Sequence, residues 1–242
     1  MNPHAIPLGT QDLEHGGETV DSFAALGVRA FTTGRDAGSF GTGSDEPVRD
    51  VMARWNALRI ALDSARLATA TQVHGQTILE HDGAWRGWLR GQDADGHLAM
   101  SRGTAMAVTV ADCVPVFLAH PTGATAALHS GWRGTVAAIT AHAIARFTSV
   151  GLTASDILLH CGPAICGRCY EVSPDVYGQL TGRQVQSPTT VDLRALIMDQ
   201  ARALGVRKLS VSPLCTRCNN DRFFSHRAGD AGRQLGVILA RL

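Results

Sequence analysis

The run "MAVTVADCVPVFLAHPTGATAALHS", residues 106 to 130, constrains the fold of this chain more than any other stretch. Segments 105–110, 114–119 and 124–129 are apolar and bounded by turn residues, so they read as buried strands, the last two joined through "HPTG". A buried strand has no use for a carboxylate beside a thiol, yet Asp112 and Cys113 stand between the first two segments. Pro115 lacks an N–H and argues for a sheet edge or a bulge just after Cys113.

The flanking sequence alternates helical and extended patterns. Residues 1–27 show weak periodicity and read as a loose N-terminal arm, followed by one catalytic domain over 28–242. "TTGRDAGSFGTGSDEP" (32–47) is a loop able to bring backbone amides close to a ligand. A helix capped at Ser44 or Asp45, with Pro47 in its first turn, is expected to reach about residue 65, its apolar face being Val51, Trp55, Leu58 and Leu62. Residues 67–81 read as strand, turn at Gly75, strand, with His74 at the break, and 85–103 is mostly turn chemistry. The spacing predicts a helix over 133–151 and a second, capped by Asp192, to about Leu204. Strands are expected at 156–161, 207–212 and about 235–241. With no repeat or linker, the chain reads as a single α+β domain with mixed β-sheets.

Charge narrows the partners. Lys and Arg total 22 against 21 acidic residues, unclustered, which offers no electrostatic grip on nucleic acid or an anionic membrane. The partner is expected to be small, and no feature sets an oligomeric state. The start lacks the basic and apolar regions of a signal peptide, and the apolar run at 105–119 is too short to span a bilayer. A cytoplasmic location follows as an expectation, and in a reducing compartment the six cysteines read as buried thiols, metal ligands or nucleophiles.

His74, Cys113 and His129 lie at the ends of β segments. One thiolate and two imidazoles suit Zn²⁺, and three ligands leave the fourth tetrahedral position open, as in catalytic sites. Spacing alone also accommodates hydrogen-bonded histidines and a buried cysteine. "HSGWRG" places two glycines and Arg133 where a helix starts, so amides and guanidinium together could receive phosphate; a glycine turn with a surface Arg reads equally well. Asp112 could orient a ligand, act as a base or cap a turn.

"QVHG", "DADG", "ADCVPV", "HSGWRG", "CGPAICGRCYEV" and "CTRCNNDRFFSHRAGDAGRQLGV" occur in an order and spacing that closely resemble the laccase-domain family, from about Val28 to the C-terminus. Its members have been described as multicopper polyphenol oxidoreductases, as purine nucleoside phosphorylases with adenosine deaminase activity and as a peptidoglycan editing factor. The resemblance implies a four-layer α/β/β/α sandwich and a zinc site of His74, Cys113 and His129. It further implies phosphorolysis of purine nucleosides, including methylthioadenosine, and deamination of adenosine. Asp112, Cys113 and Arg133 become the expected catalytic residues; Arg35, Gln72, Asp95 and Arg133 are candidate contacts to nucleoside and phosphate. Asp112 or Asp95 is the expected proton shuttle in deamination.

The chain departs from the family pattern at "TTGRDAGSF", where Arg35 stands one position late, and at "HPTG", one residue short. Cys166 with Cys169, and Cys215 with Cys218, form two CxxC pairs, candidate ligands of a second zinc or buried thiols in neighbouring loops. Three alternatives to the nucleoside reading remain: an editing hydrolase of peptidoglycan precursors, a copper-dependent polyphenol oxidoreductase, and a non-catalytic zinc scaffold. Against copper, the ten scattered histidines show no paired HxH pattern.

Overall fold

A computed structural model describes residues 14–242. Two six-stranded mixed sheets dominate it. The first runs in the order β1 (Glu18–Thr19), β2 (Val28–Thr32), β14 (Gln234–Ala240), β7 (Thr104–Val110), β3 (Arg66–Ala70) and β5 (Gly87–Gly91). The second runs β13 (Lys208–Val211), β10 (Leu158–Cys161), β8 (Val114–Ala119), β9 (Thr125–Ser130), β6 (Gly96–Ala99) and β4 (Ile78–His81). A short pair, β11 (Glu171–Val172) and β12 (Thr189–Thr190), stands apart. The helices are α1 (Val48–Ala61), α2 (Trp132–Val136), α3 (Ile139–Ser149), α4 (Pro174–Thr181) and α5 (Leu193–Ala203).

The two-residue period of the strands generates the layers, because successive side chains face opposite sides of a sheet. On β7, Ala105 and Ala107 meet Val51, Trp55 and Leu58 of α1, whereas Met106, Val108 and Val110 point inward. On β8, Val116 and Leu118 meet Ile139 and Phe147 of α3 and Ile197 of α5, while Phe117 and Ala119 point inward. Each central strand therefore feeds two cores, and its residues must be apolar on both faces. The result is the four-layer α/β/β/α sandwich, with a third core between the sheets.

Five segments depart from the sequence expectation. Residues 1–13 of the expected arm lie outside the described residues, but the rest of it is packed: β1 pairs with β2, and the 3-10 turn Asp21–Leu26 buries Phe23. The two strands of 67–81 are not a hairpin, because β3 joins the first sheet and β4 the second. Segment 85–103 holds two strands, β5 and β6, each pairing in parallel with an earlier strand, a long-range partnership that local turn chemistry does not reveal. The helix expected over 133–151 is broken at Ala138, whose φ of 56° lies in the left-handed region. Pro115 sits in a central strand, where its carbonyl accepts from Gly162 N at 2.9 Å, just past the end of β10. The N–H it lacks would point to that same side, one step beyond the last β8–β10 pair, Val116 with Cys161, where a proline disturbs the ladder least.

Because β8 and β9 are antiparallel with Pro115 opposite His129, the start of one and the end of the other share a rim of the second sheet. Asp95, just before β6, is at the same rim, since Gly96 lies opposite Leu128. Two positions on, His97 is buried with its Nδ1 3.0 Å from His81 Nε2. Burial, with the neighbouring His81, pulls His97 from the ordinary 6.5 down to about 3. The folded state thus binds fewer protons than the unfolded one, so this contribution is complete above about 6.5 and is lost as pH falls towards 3. Urea titrations at pH 7 and pH 5 should show His97→Asn losing about 2 kcal/mol less than the parent protein over that interval. Equal losses would contradict a neutral, buried His97.

Candidate metal centre and cleft

The rim gathers three metal-ligating side chains. His74 comes from the loop before β4, Cys113 immediately precedes β8, and His129 is the penultimate residue of β9. Their ligating atoms lie within 4.8 Å of one another, and the two imidazoles meet edge to face at 4.8 Å between centroids. Tetrahedral zinc with sulfur and nitrogen ligands needs separations of about 3.3 to 3.8 Å, so a small inward adjustment of the side chains completes the geometry. Cys113 and Gly131 face each other across the strand pair, one step beyond Val114 and Ser130. A Cβ on Gly131 would lie 2.9 Å from Cys113 Sγ and 3.4 Å from His74 Cδ2, which explains the glycine of "HSGWRG".

Asp95 organises the ligands from behind. Fully buried, it accepts hydrogen bonds from Val73 N (3.1 Å), His74 N (2.9 Å) and Gly75 N (2.7 Å), and its Oδ1 lies 2.7 Å from His129 Nδ1. Burial pushes its carboxyl up, but the His129 bond and the amides hold it below the ordinary value. Fixing Nδ1 leaves Nε2 of His129 for a metal. Burial also raises the Cys113 thiol, yet His129 and His74 outweigh it and bring it down to about 6. The reciprocal effect lifts His129: burial depresses it, while the Cys113 charge and the Asp95 hydrogen bond raise it to about 9. A thiolate poised between imidazoles is the form of cysteine that binds metal.

All three side chains open onto a cleft of about 410 Å³ that runs from this rim along the α1-facing side of the first sheet, past Ala107 and Thr109. Its opposite wall carries Trp88, stacked on the buried Trp55 at 5.1 Å and anchored by Nε1 to Thr69 Oγ1 at 2.8 Å. Residues 40–43 of the glycine loop, Arg90, Arg233 and His226 also line it. A cleft of this size with aromatic walls and convergent polar groups has the dimensions of a small-molecule site.

The sequence profile of the family described as "multi-copper polyphenol oxidoreductase laccase" matches residues 35–241. The chain belongs to this family. Among curated relatives, "Purine nucleoside phosphorylase ORF3" of Streptomyces griseus is 35% identical over 207 residues, covering 82% of this chain and 84% of the relative. "Purine nucleoside phosphorylase YlmD" of Geobacillus stearothermophilus is 32% identical over 260 residues, covering 98% and 91%. The crystal structure of YlmD superposes with a TM-score of 0.83 at 28% identity, over 89% of this chain and 93% of that one. A Bacillus licheniformis protein, YfiH, gives the same TM-score at 22% identity over 93% and 96%, a likeness of fold alone.

Within this family framework the remaining expected residues part company. Gln72 lines the cleft, but its amide is spent on Thr109: Nε2 donates to the carbonyl (2.8 Å), and Oε1 accepts from both the amide (2.7 Å) and Oγ1 (2.8 Å). Asp112, expected as a catalytic carboxylate, accepts from Thr216 Oγ1 at 2.5 Å and Arg227 N at 2.7 Å, which makes it a tether for the Cys113 backbone. Asp95 is likewise withdrawn from the cleft by its four partners. Arg133 is exposed and lies over the Trp132 ring at 4.5 Å, outside the cleft lining. Its helix, α2, has five residues, too short to present the amide cradle expected for phosphate. Arg35 pairs with Asp230 at 2.7 Å and donates to the carbonyls of Asn220 and Phe223, so it braces a loop and is not among the cleft-lining residues.

Sequence reasoning missed Trp88, Arg90, His226 and Arg233. Their signal lies in pairing between distant segments: β5 is placed by β3, and Arg233 precedes a strand inserted between β2 and β7 in the first sheet. The four cysteines of the two CxxC pairs also converge, their sulfurs within 4.8 Å of one another.

Two outcomes follow. Gly131→Ala should keep the fold and weaken metal binding at least tenfold in chelator competition, because the new methyl displaces Cys113 and His74. In metal-free protein, alkylation of Cys113 followed by peptide mapping should be half-maximal near pH 6, and His129→Ala should move that midpoint upward. A parent midpoint at the ordinary thiol value of 9 would contradict the thiolate assignment.

Proposed function

We propose that this protein is a zinc-dependent purine nucleoside phosphorylase that also deaminates adenosine and cleaves methylthioadenosine. The observation that carries the reading is the meeting, in one cleft, of a Cys–His–His triad and an indole face. The relatives named as purine nucleoside phosphorylases, similar over most of their length, support it. An enzyme of this kind takes small molecules, purine nucleoside and phosphate, in keeping with the nearly neutral charge balance.

The donor set favours zinc. Among the described residues, the only groups of three or more ligands are this triad and the four cysteines, and neither supplies the imidazole-rich clusters that a multi-copper centre requires. All three triad residues line the cleft, which argues against a closed, purely structural site. Bound there, zinc supplies Lewis acidity, polarising an oxygen so that hydrolytic and transfer chemistry proceed at neutral pH.

The chain's own residues do the rest. Trp88 offers its face to the purine, held flat by Trp55 behind it. Arg90 is exposed and, among the described residues, has no hydrogen-bond or ion-pair partner, so its guanidinium is available to phosphate. In phosphorolysis, a phosphate oxygen bonds to C1′ as the bond from C1′ to N9 breaks and the purine leaves. In deamination, water adds at C6 and ammonia departs. Proton transfer in both passes to His226, the one imidazole of the cleft lining outside the triad, because Asp112 and Asp95 are already engaged.

The test is product analysis of zinc-loaded protein with adenosine. Adenine should form only with phosphate, inosine without it, and both should vanish in Cys113→Ala. Trp88→Ala should raise KM for the nucleoside roughly tenfold through lost stacking, with a smaller effect on kcat; Arg90→Ala should raise KM for phosphate. Absence of both products from the zinc-loaded protein would overturn the reading.

A further inference from the structure

The proposed chemistry makes no use of the four cysteines that meet behind Asp112. Cys166 and Cys169 lie between β10 and β11, and Cys215 and Cys218 follow β13. The two segments touch through an isolated parallel bridge from Ala164 to Cys215, reinforced by Thr216 N donating to Ala164 O at 3.2 Å. All four thiols are unpaired, and the sulfurs of Cys169 and Cys218 are 3.5 Å apart. A disulfide requires about 2.05 Å, whereas thiolates on tetrahedral zinc stand about 3.8 Å from each other.

The backbone around the cysteines has the form of two metal knuckles. Cys169 N and Tyr170 N both donate to Cys166 O, at 2.9 and 3.0 Å, curling the first pair into a tight turn. In the second, Cys218 N approaches Cys215 Sγ at 3.4 Å, and Cys166 N reaches the same sulfur from the other knuckle at 3.2 Å. Amides aimed at sulfur stabilise thiolate. The pairs read "CGRC" and "CTRC", each with an arginine at the third position, and Arg217 Nη1 of the second donates to Cys169 O of the first at 3.4 Å, tying the two knuckles together.

We propose that Cys166, Cys169, Cys215 and Cys218 form a second, structural zinc site that locks the backbone on which Asp112 is held. The link is one residue long on each side. Ile165, next to Cys166, donates its amide to Asp112 O at 3.1 Å; Thr216, next to Cys215, donates its hydroxyl to the Asp112 carboxylate. Asp112 in turn precedes Cys113. The tetrathiolate site is therefore a positioning device for the metal triad, separate from it in ligands and coupled to it through Asp112.

Metal content separates the two sites. Protein purified under reducing conditions should carry two equivalents of zinc by mass spectrometry, and Cys113→Ala and the double variant Cys169→Ser/Cys218→Ser one each. Cobalt-loaded Cys113→Ala should show the intense charge-transfer and tetrahedral ligand-field bands of a four-thiolate site, a measurement that needs no change at the four cysteines. The double variant should also bind zinc at the triad about tenfold more weakly in chelator competition. Zinc absent from Cys113→Ala together with no thiolate spectrum, or a disulfide between the pairs in reduced protein, would overturn the assignment. Those results stand apart from the nucleoside assay, because Cys113→Ala removes the triad in advance.

Discussion

The Asp95 carboxylate is the interaction on which the site depends. It is fully buried, and its four partners are three consecutive backbone amides, Val73 to Gly75, and the imidazole of His129. Those amides belong to a segment that crosses from the first sheet, at β3, to the second, at β4, so nothing in the ladder hydrogen bonding fixes it. One buried charge thus substitutes for a strand partner and sets two of the three candidate ligands at once. An uncompensated carboxylate at that depth would be too costly to keep; satisfied by three amides and an imidazole, it fixes the segment and the ring together.

The sheet register supplies the third ligand. Cys113 faces Gly131 across the antiparallel pair, and the absence of a side chain at Gly131 leaves room for the sulfur to approach His74. A one-residue slip would turn Cys113 towards the helical layer, because side chains alternate between faces. Such a slip is resisted along both strands, since Val116 and Leu118 of β8 with Ala126 and Leu128 of β9 are committed to one core and Phe117, Ala119 and Ala127 to the other. The apolar patterning of β8 and β9 is therefore part of the site.

Much of this was legible in the sequence, and what was not has a common cause. Buried strands 105–110, 114–119 and 124–129 declare themselves by local composition, and the three candidate ligands stand at their ends or at the Gly75 break. What local composition cannot show is which strand a segment will join. The segment 67–81 looks like a hairpin because its turn is genuine, but β3 and β4 satisfy their ladders in different sheets. Trp88 and Arg90 were hidden for the same reason, lying in a segment whose glycines read as turns and whose strand exists only because β3 offers it an edge. For Asp112 and Arg35 the residue type suits catalysis, and only the fold shows the partners Thr216, Arg227 and Asp230 on which their charges are engaged.

Backbone strain shows why those engagements matter. His74 and Asp112 are both in the left-handed region, with φ of 60° and 79°, and each conformation costs about 1 kcal/mol or more relative to an ordinary residue. Neither would persist in a free loop. His74 is held by Asp95 through its own amide and those on either side, and Asp112 is gripped by Thr216 and Arg227 through its side chain and by Ile165 through its carbonyl. In each case the strained residue turns the chain sharply at a ligand: at His74 itself, and at Asp112 for Cys113. The groups that enforce the strain lie outside the cleft, so the candidate ligands are positioned from behind, leaving the cleft wall to residues such as Trp88, Arg90 and His226. That division of labour gives two acidic residues beside the triad the work of positioning it, apart from the residues that line the cleft.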